Sequence, residues 1–167
     1  EMGGTATALP EEYGGLGMSH LELVVIAEEL GRACAPVPFS SSVYLAAEAI
    51  MALGTEAQKQ AWLPKLADGS AIGCFALGEA GGAVTPDQIS TSMADGVING
   101  TKVPVADGGI ADVAIVVCKS DGGDGATLAL VDLSQDAVAK DNVQMIDFSR
   151  GHSELTFNGA CAEVLGE

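Results

Sequence analysis

The chain has 167 residues, enough for one large domain or two small ones. Its 23 acidic and 7 basic residues give a net charge of −16, which repels nucleic acids and anionic membrane surfaces and excludes them as partners. Hydrophobic residues make up 48% of the chain, and the mean hydropathy is +0.32. We therefore expect more apolar surface than one domain of this size can bury, and a further segment or subunit that covers it.

Neither the cysteines nor the histidines are spaced like metal ligands, so we predict no metal site. Cys34, Cys74 and Cys118 have apolar or small neighbours, which predicts buried free thiols in a reducing compartment. His20 and His152 are isolated and are expected to be structural. The sequence shows no signal peptide and no apolar run long enough for a membrane span, so we expect a cytoplasmic protein.

The N-terminal part of the sequence predicts a loop followed by three helices. Residues 9–17 contain a proline and three glycines, which excludes regular structure. Ser19 and Glu22 form a capping box at the start of the first helix, and Gly31 is expected to end it.

The second helix, Ser41–Leu53, is apolar almost all round, which is typical of a helix buried inside a bundle. The third helix begins with a capping box formed by Thr55 and Gln58 and runs through Trp62. Pro64 is expected to kink or end it, because proline lacks the N–H that the helix interior needs.

After residue 70 the hydrophobic period changes to two, which indicates strands separated by glycine-rich turns. The first of them carries no charge, so both of its faces need apolar cover. The strand candidates are Ala71–Leu77, Ile89–Met93, Val97–Val105, Val113–Cys118, Leu128–Asp132, Val143–Ile146 and Glu154–Phe157. With no long helix among them, these segments predict a small antiparallel sandwich or barrel.

The segment Gly78–Ala83 follows the first strand candidate and is rich in glycine. Glycines allow backbone angles and close approaches that side chains forbid, and a strand that leads into such a loop can present backbone N–H groups to an anionic ligand. The alternative interpretation is an ordinary surface turn that binds nothing.

Three blocks of the sequence together resemble the acyl-CoA dehydrogenase family. Residues 9–17 read Leu-Pro-Glu-Glu-Tyr-Gly-Gly-Leu-Gly, similar to the family's signature before an N-terminal helix. Residues 54–64 resemble its Gly-x-x-x-Gln-Lys-x-x-(Trp/Tyr)-Leu-Pro helix. Residues 74–79 and 98–102 resemble the start of its middle β domain and its Leu-Asn-Gly-x-Lys hairpin. The likeness runs through nearly the whole chain in the family's order.

The resemblance implies an α+β multidomain fold, in which an N-terminal α-helical segment is followed by an antiparallel β-sandwich or barrel and a C-terminal helical bundle. Residues 1–70 would form part of the helical domain and residues 71–162 the middle β domain. Residues 163–167 would begin the link to the bundle, which is missing from this sequence. Because the family's catalytic carboxylate lies in the bundle, no residue here is predicted to be catalytic.

The activity implied by the resemblance is FAD-dependent α,β-desaturation of an acyl-CoA thioester, in which a proton leaves Cα and a hydride leaves Cβ for the flavin. The implied partners are the acyl-CoA, an electron-transfer acceptor and further copies or subunits of the same family. Position by position, the implied cofactor-binding residues are Phe75, Leu77, Gly78, Gly82, Ala83, Pro104, Val105 and Ala106.

Four of these positions depart from the family pattern. Gly78 stands where a threonine hydroxyl usually contacts the flavin, and Ala83 stands near the usual serine. Pro104 replaces a tryptophan and Ala106 a threonine. Each lost hydrogen bond costs about 0.5–1.5 kcal/mol, so these changes together weaken cofactor affinity unless backbone donors or a partner compensate.

The same strand variant resembles that of divergent bacterial members, some of which work as unequal subunits on bulky acyl-CoAs such as sterol side chains. A second hypothesis therefore stands beside the first, namely a cofactor-poor, non-catalytic partner subunit of a heteromeric acyl-CoA dehydrogenase.

Two further segments admit alternative roles. Phe39 and Val43, around the start of the second helix, either line an acyl pocket or pack in the core. The segment Asp147–Arg150 predicts a turn before a strand, with Arg150 as a solvated charge or as one partner of an interdomain ion pair.

Overall fold

The computed structural model describes residues 3–82, 85–120 and 125–166. Its N-terminal part is helical and is followed by an eight-stranded, mostly antiparallel sheet. The longer helices are α1 (His20–Arg32), a π-helical segment (Ser40–Ala47) that continues directly into α2 (Glu48–Leu53), and α3 (Glu56–Asp68). Single 3₁₀ turns lie at Gly4–Ala6, Glu11–Tyr13 and Pro86–Gln88, so the expectation of no regular structure in residues 9–17 is wrong for one short turn. The strands are β1 (Gly73–Ala76), β2 (Ser92–Ala94), β3 (Val97–Ala106), β4 (Val113–Ser120), β5 (Ala126–Asp132), β6 (Val138–Val143), β7 (His152–Cys161) and β8 (Glu163–Val164). The predicted fold class is confirmed.

Local capping signals account for both longer helices. The Ser19 side chain accepts a hydrogen bond from the first turn of α1 while Glu22 reaches back to it, and Thr55 and Gln58 do the same for α3. Helix α1 extends one residue past Gly31. Helix α3 does not end near Pro64 but continues to Asp68, because buried side chains on both sides of the proline hold the last turn in place.

The sheet has the strand order β6-β7-β3-β2-β4-β5-β8, with β1 beside β4. Most neighbours are antiparallel, but β1 and β2 both run parallel to β4. The sheet curls around an interior core to which β3, β4, β5 and β7 contribute Val105, Val116, Val131 and Leu155. The other face of β4 packs on the helices through Val113 and Ile115, so this strand is buried on both faces.

One predicted strand is wrong. The sequence places a strand at Val143–Ile146, whereas β6 covers Val138–Val143 and Ile146 is 99% exposed. Strand β6 lies at the edge of the sheet, where most of its side chains face water. Such a strand needs no apolar alternation, and so hydrophobic periodicity misses it. Near the C-terminus, β8 pairs with β5, so the sheet extends past residue 162.

Candidate functional site

The structure brings two of the predicted cofactor-binding segments together at the end of β1. The backbone N–H of Val103 in β3 donates to the carbonyl of Gly78 at 2.9 Å, which joins the chain after β1 to the middle of β3. A Cβ added to Gly78 would lie 3.2 Å from the carbonyl oxygen of Val103, so a larger residue would crowd this junction. The side chains of Leu77 (39% exposed) and Pro104 face outward beside it. We call the surface formed by Leu77, Gly78 and Pro104 the apolar platform.

Not every predicted residue belongs to this surface. The side chain of Val105 is fully buried (0% exposed) in the interior core, so only its backbone lies near the platform. Pairing between β3 and β7 shifts between Lys102 and Val105, and Pro104 sits within this irregularity. Proline in a strand is found at such bulges because it has no N–H for the ladder. Phe75 and Ala106 are half-buried.

The glycine-rich loop after β1 is exposed. Gly81 and Gly82 have φ angles of 104° and 75°, in the left-handed region that glycine adopts readily. No atom lies within 4 Å of a Cβ added at either position, so the backbone there is open to an approaching ligand. The predicted contact Ala83 lies outside the described residues.

Directly behind the loop lies a buried ion pair that sequence reasoning missed. Lys102 Nζ lies 2.7 Å from Glu79 Oε1 and donates to the carbonyl of Leu77 at 3.1 Å. The exposed fractions of the two side chains are 0% and 9%. The sequence carried one signal for it, since Lys102 shares the alternation of the core residue Ile98 along β3 and thus faces the interior.

The Glu79 carboxylate has a full set of partners. The backbone N–H groups of Ser90 and Thr91 donate to it at 2.8 and 3.0 Å, and the Ser90 hydroxyl donates as well. Burial on its own would raise the pKa of Glu79, but the hydrogen bonds from Lys102, Ser90 and Thr91 outweigh it and hold the pKa well below its usual range. The carboxylate is therefore charged at neutral pH.

The two predicted substrate-binding residues have different surroundings. Phe39 is half-buried, packs edge-on against Tyr44 with ring centroids 5.3 Å apart, and borders an apolar cleft of about 540 Å³ that Leu66 and Ile72 also line. Val43 is buried at the start of the second helix, which favours its interpretation as core packing.

Arg150 forms an ion pair, which is one of the two roles predicted for it. Its guanidinium contacts Asp107, which follows β3, and donates to Ser40 Oγ and Ser41 Oγ at 2.8 Å each. The Ser41 hydroxyl in turn donates to Asp107 at 2.6 Å. This cluster, which we call the Arg150 clamp, connects the π-helical segment to the end of β3.

The thiol groups fall into two classes. Cys74 and Cys118 are buried, and burial raises the pKa of Cys74 to about 12 and also raises that of Cys118. The prediction of a buried Cys34 is wrong, because this residue is exposed in the segment after α1. Its small neighbours, which suggested a core position, belong to a surface turn in which Cys34 itself has a φ of 45°.

The described part of the chain contains no group of three or more His, Cys, Asp or Glu side chains placed to hold a metal ion. Within residues 3–82, 85–120 and 125–166, no helix combines the length and apolarity that crossing a lipid bilayer requires.

Comparison with known proteins points to one family. Residues 1–70 match the family described as "Acyl-CoA dehydrogenase, N-terminal domain". The human mitochondrial short-chain specific acyl-CoA dehydrogenase is 36% identical over 132 residues, a match that covers 72% of this chain and 32% of the relative. The chain thus spans about a third of the length of the curated relatives it matches.

Two solved structures share the fold of almost the whole chain. An acyl-CoA dehydrogenase from Bacillus anthracis, complexed with FAD, has a TM-score of 0.89 and 26% identity, and the match covers 99% of this chain and 30% of that one. The ChsE4–ChsE5 complex from Mycobacterium tuberculosis has a TM-score of 0.83 and 30% identity, over 98% of this chain and 45% of that one.

Proposed function

Because this chain belongs to the acyl-CoA dehydrogenase family, we propose that it forms the flavin-facing part of an enzyme that desaturates an acyl-CoA thioester between Cα and Cβ. The observation that carries the proposal is the apolar platform of Leu77, Gly78 and Pro104 beside an open glycine loop. FAD is the cofactor that the platform would take, since the similar acyl-CoA dehydrogenase from Bacillus anthracis is complexed with FAD.

The residues present fit such a group in two respects. A flat aromatic ring system needs an apolar surface against one face, and Leu77 and Pro104 supply it. A pyrophosphate needs close backbone approach without Cβ atoms in the way, and Gly81 and Gly82 leave that space open. In this assignment Leu77 and Pro104 hold the ring and exclude water from it, while the loop backbone binds the phosphates.

When bound, FAD supplies the hydride acceptor of the reaction. The residues of this chain would bind and orient the cofactor, and none of them is assigned to proton transfer. In this proposal the catalytic base is a carboxylate of a C-terminal helical bundle, as the family resemblance implies. The same proposal includes a separate electron acceptor, assembly of the protein into an oligomer and a location in the cytoplasm.

The test is a visible spectrum of the purified full-length protein, followed by a turnover assay. We expect a flavin absorption band near 450 nm (roughly, a general property of flavins) and reduction of that band when an acyl-CoA is added without oxygen. Short straight-chain and bulky acyl-CoAs should both be tried. A protein that stays colourless after incubation with excess FAD, and oxidises none of these substrates, would contradict the proposal.

A second candidate function is favoured by one observation. Gly78, Pro104 and Ala106 offer no side-chain hydrogen-bond donor at the positions where family members usually contact the flavin. The relative from Mycobacterium tuberculosis is a complex of two different chains. A colourless protein that co-purifies with a flavin-containing family member, and is required for its turnover, would favour a non-catalytic partner subunit.

A further inference from the structure

Lys102 is a fully buried cation in the interior of the sheet, where the desolvation of an ammonium group is costly. Its Nζ donates two hydrogen bonds, to Glu79 Oε1 and to the carbonyl of Leu77. Both acceptors belong to the chain segment immediately after β1. The charge is therefore neutralised by residues 77–79, which we call the root of the glycine loop, and not by a neighbouring strand.

Glu79 extends this connection to a third segment. Its carboxylate accepts from the backbone of Ser90 and Thr91, which precede β2. Residues 77–79 are thus attached to β3 through Lys102 and to residues 90–91 through Glu79. The bond from Val103 N–H to the carbonyl of Gly78 completes the attachment.

Beyond Glu79 these side-chain restraints end, and the N–H of Gly82 donates back to the carbonyl of Glu79 at 3.1 Å. Ala80, Gly81 and Gly82 are exposed, and the glycines at its tip contribute no side chain that could anchor it. The position of the tip relative to the apolar platform therefore depends on the root at residues 77–79. Lys102 and Glu79 carry the side-chain hydrogen bonds that hold this root in place.

We infer that Glu79 and Lys102 are positioning residues for the cofactor, because they hold the glycine loop beside the platform so that its backbone meets the flavin pyrophosphate without a further ordering cost. This inference rests on the proposed function for the identity of the ligand. The attachment of the loop itself follows from the contacts alone.

The test compares variants in the full-length protein by hydrogen exchange and FAD titration. Glu79→Gln removes the negative charge, and Glu79→Gln combined with Lys102→Met removes both charges. Ser90→Ala deletes only the hydroxyl contact to Glu79 and should fold even if the charge variants do not. Val131→Ala is the matched control, since it shortens a buried core side chain on β5 without touching the loop.

We expect Glu79→Gln to speed exchange of the amides at residues 78–82 by about tenfold or more, with a smaller increase for Ser90→Ala. The dissociation constant for FAD should rise by a similar factor, about tenfold. Val131→Ala should lower the unfolding midpoint with little change in either loop exchange or FAD affinity.

The outcomes separate this inference from the proposed function. Loop exchange that changes no more in Glu79→Gln and Ser90→Ala than in Val131→Ala would overturn the positioning role. Faster loop exchange with unchanged FAD affinity would overturn it too. If the unmodified protein binds no FAD while the loop still loosens in Glu79→Gln, the attachment is supported and the proposed flavin function fails instead.

Discussion

At the scale of single residues, the buried charge of Lys102 requires hydrogen-bond partners from the groups around it. A buried ion pair repays its desolvation only when each atom has partners, and here the Glu79 carboxylate accepts from Lys102, from the Ser90 hydroxyl and from two backbone N–H groups. Removing one partner alone leaves an uncompensated charge, which costs far more than the pair contributes. Single substitutions at this pair therefore act strongly on both stability and loop geometry.

The lowered pKa of Glu79 predicts how stability depends on pH. A carboxyl group whose pKa is lower in the folded state contributes stability above its usual pKa of 4.5, and that contribution is lost as the pH falls toward the folded value. We expect the difference in free energy of unfolding between the unmodified protein and Glu79→Gln to shrink by about 1 kcal/mol between neutral pH and about pH 4. Urea unfolding at both pH values measures it. The difference for Val131→Ala should stay constant, and a Glu79→Gln difference that also stays constant would contradict the prediction.

The two classes of thiol predict a labelling pattern. The exposed Cys34 and Cys161 should react with a thiol reagent in the native protein, whereas Cys74 and Cys118 should react only after unfolding, because burial hides them and raises their pKa. The measurement is stoichiometric labelling with and without denaturant. Cys34→Ser should lose one rapidly reacting group, and rapid native labelling of Cys74 would show that β1 is not packed as described.

At the scale of elements, the close contact between β1 and the π-helical segment is possible because Gly73 has no side chain. A Cβ added at Gly73 would lie 2.4 Å from the Cβ of Ala46, a separation that real carbon atoms do not reach. The Ser42 hydroxyl also accepts a hydrogen bond from the N–H of Gly73 at 3.1 Å. The helical layer thus sits directly on the first strand, and this strand leads into the glycine loop.

We expect Gly73→Ala to lower the free energy of unfolding by about 1–3 kcal/mol, because the helix must move away from β1 to admit the methyl group. Thermal or urea unfolding provides the measurement. Gly31→Ala is the matched control, since nothing lies within 4 Å of its added Cβ, and alanine should leave the stability unchanged or raise it by about 0.5–1 kcal/mol. Equal effects of the two substitutions would contradict the close packing.

The glycine loop allows a second matched comparison, in which the same glycine-to-alanine substitution is made inside and outside the loop. Gly82 and Gly159 have nearly the same φ angles, 75° and 77°, but only Gly82 lies in the loop beside the platform. Alanine at either position costs roughly 1 kcal/mol of backbone strain. We expect Gly82→Ala to lower the ratio of bound flavin to protein several-fold and Gly159→Ala to leave it unchanged, as measured by absorbance after gel filtration. Equal flavin retention in both variants would remove the loop from the proposed binding site.

At the scale of the whole molecule, the Arg150 clamp joins the helical layer to the sheet. Asp107 is buried at the end of β3, and Ser40 and Ser41 begin the π-helical segment. Arg150 precedes β7 and contacts all three, so one side chain connects parts of the chain that are far apart in sequence. The same helical segment packs on β1, so the clamp also fixes the frame on which the platform is built.

We expect Arg150→Met to lower the free energy of unfolding by about 1–3 kcal/mol, since it leaves the Asp107 carboxylate buried without its cation. The value is moderated by the 31% exposure of the arginine. Arg32→Met is the matched control, because its ion pairs with Glu28 and Glu29 are exposed and should contribute less than about 0.5 kcal/mol. Urea unfolding followed by Trp62 fluorescence measures both, and similar losses in the two variants would contradict the role of the clamp.

The sequence by itself determined the elements and their order. Capping boxes at Ser19 and Thr55 and the change of hydrophobic period after residue 70 are local signals, since each acts within a few residues. They predicted helices followed by an antiparallel sandwich or barrel, and the structure confirms that class, although β1 and β2 run parallel to β4. The family resemblance rests on the same local blocks, and its assignment of Leu77, Gly78 and Pro104 to one cofactor site stays a prediction.

Only the tertiary structure decided which side chains meet. Lys102 and Glu79 are 23 residues apart, and Arg150 and Asp107 are 43 apart, so their pairing depends on how the strands are arranged and not on local preference. The irregular pairing around Pro104 likewise sends Val105 into the core while Pro104 itself is exposed. Strand alternation read from sequence assumes an unbroken ladder, and one bulge changes the face that every following residue presents.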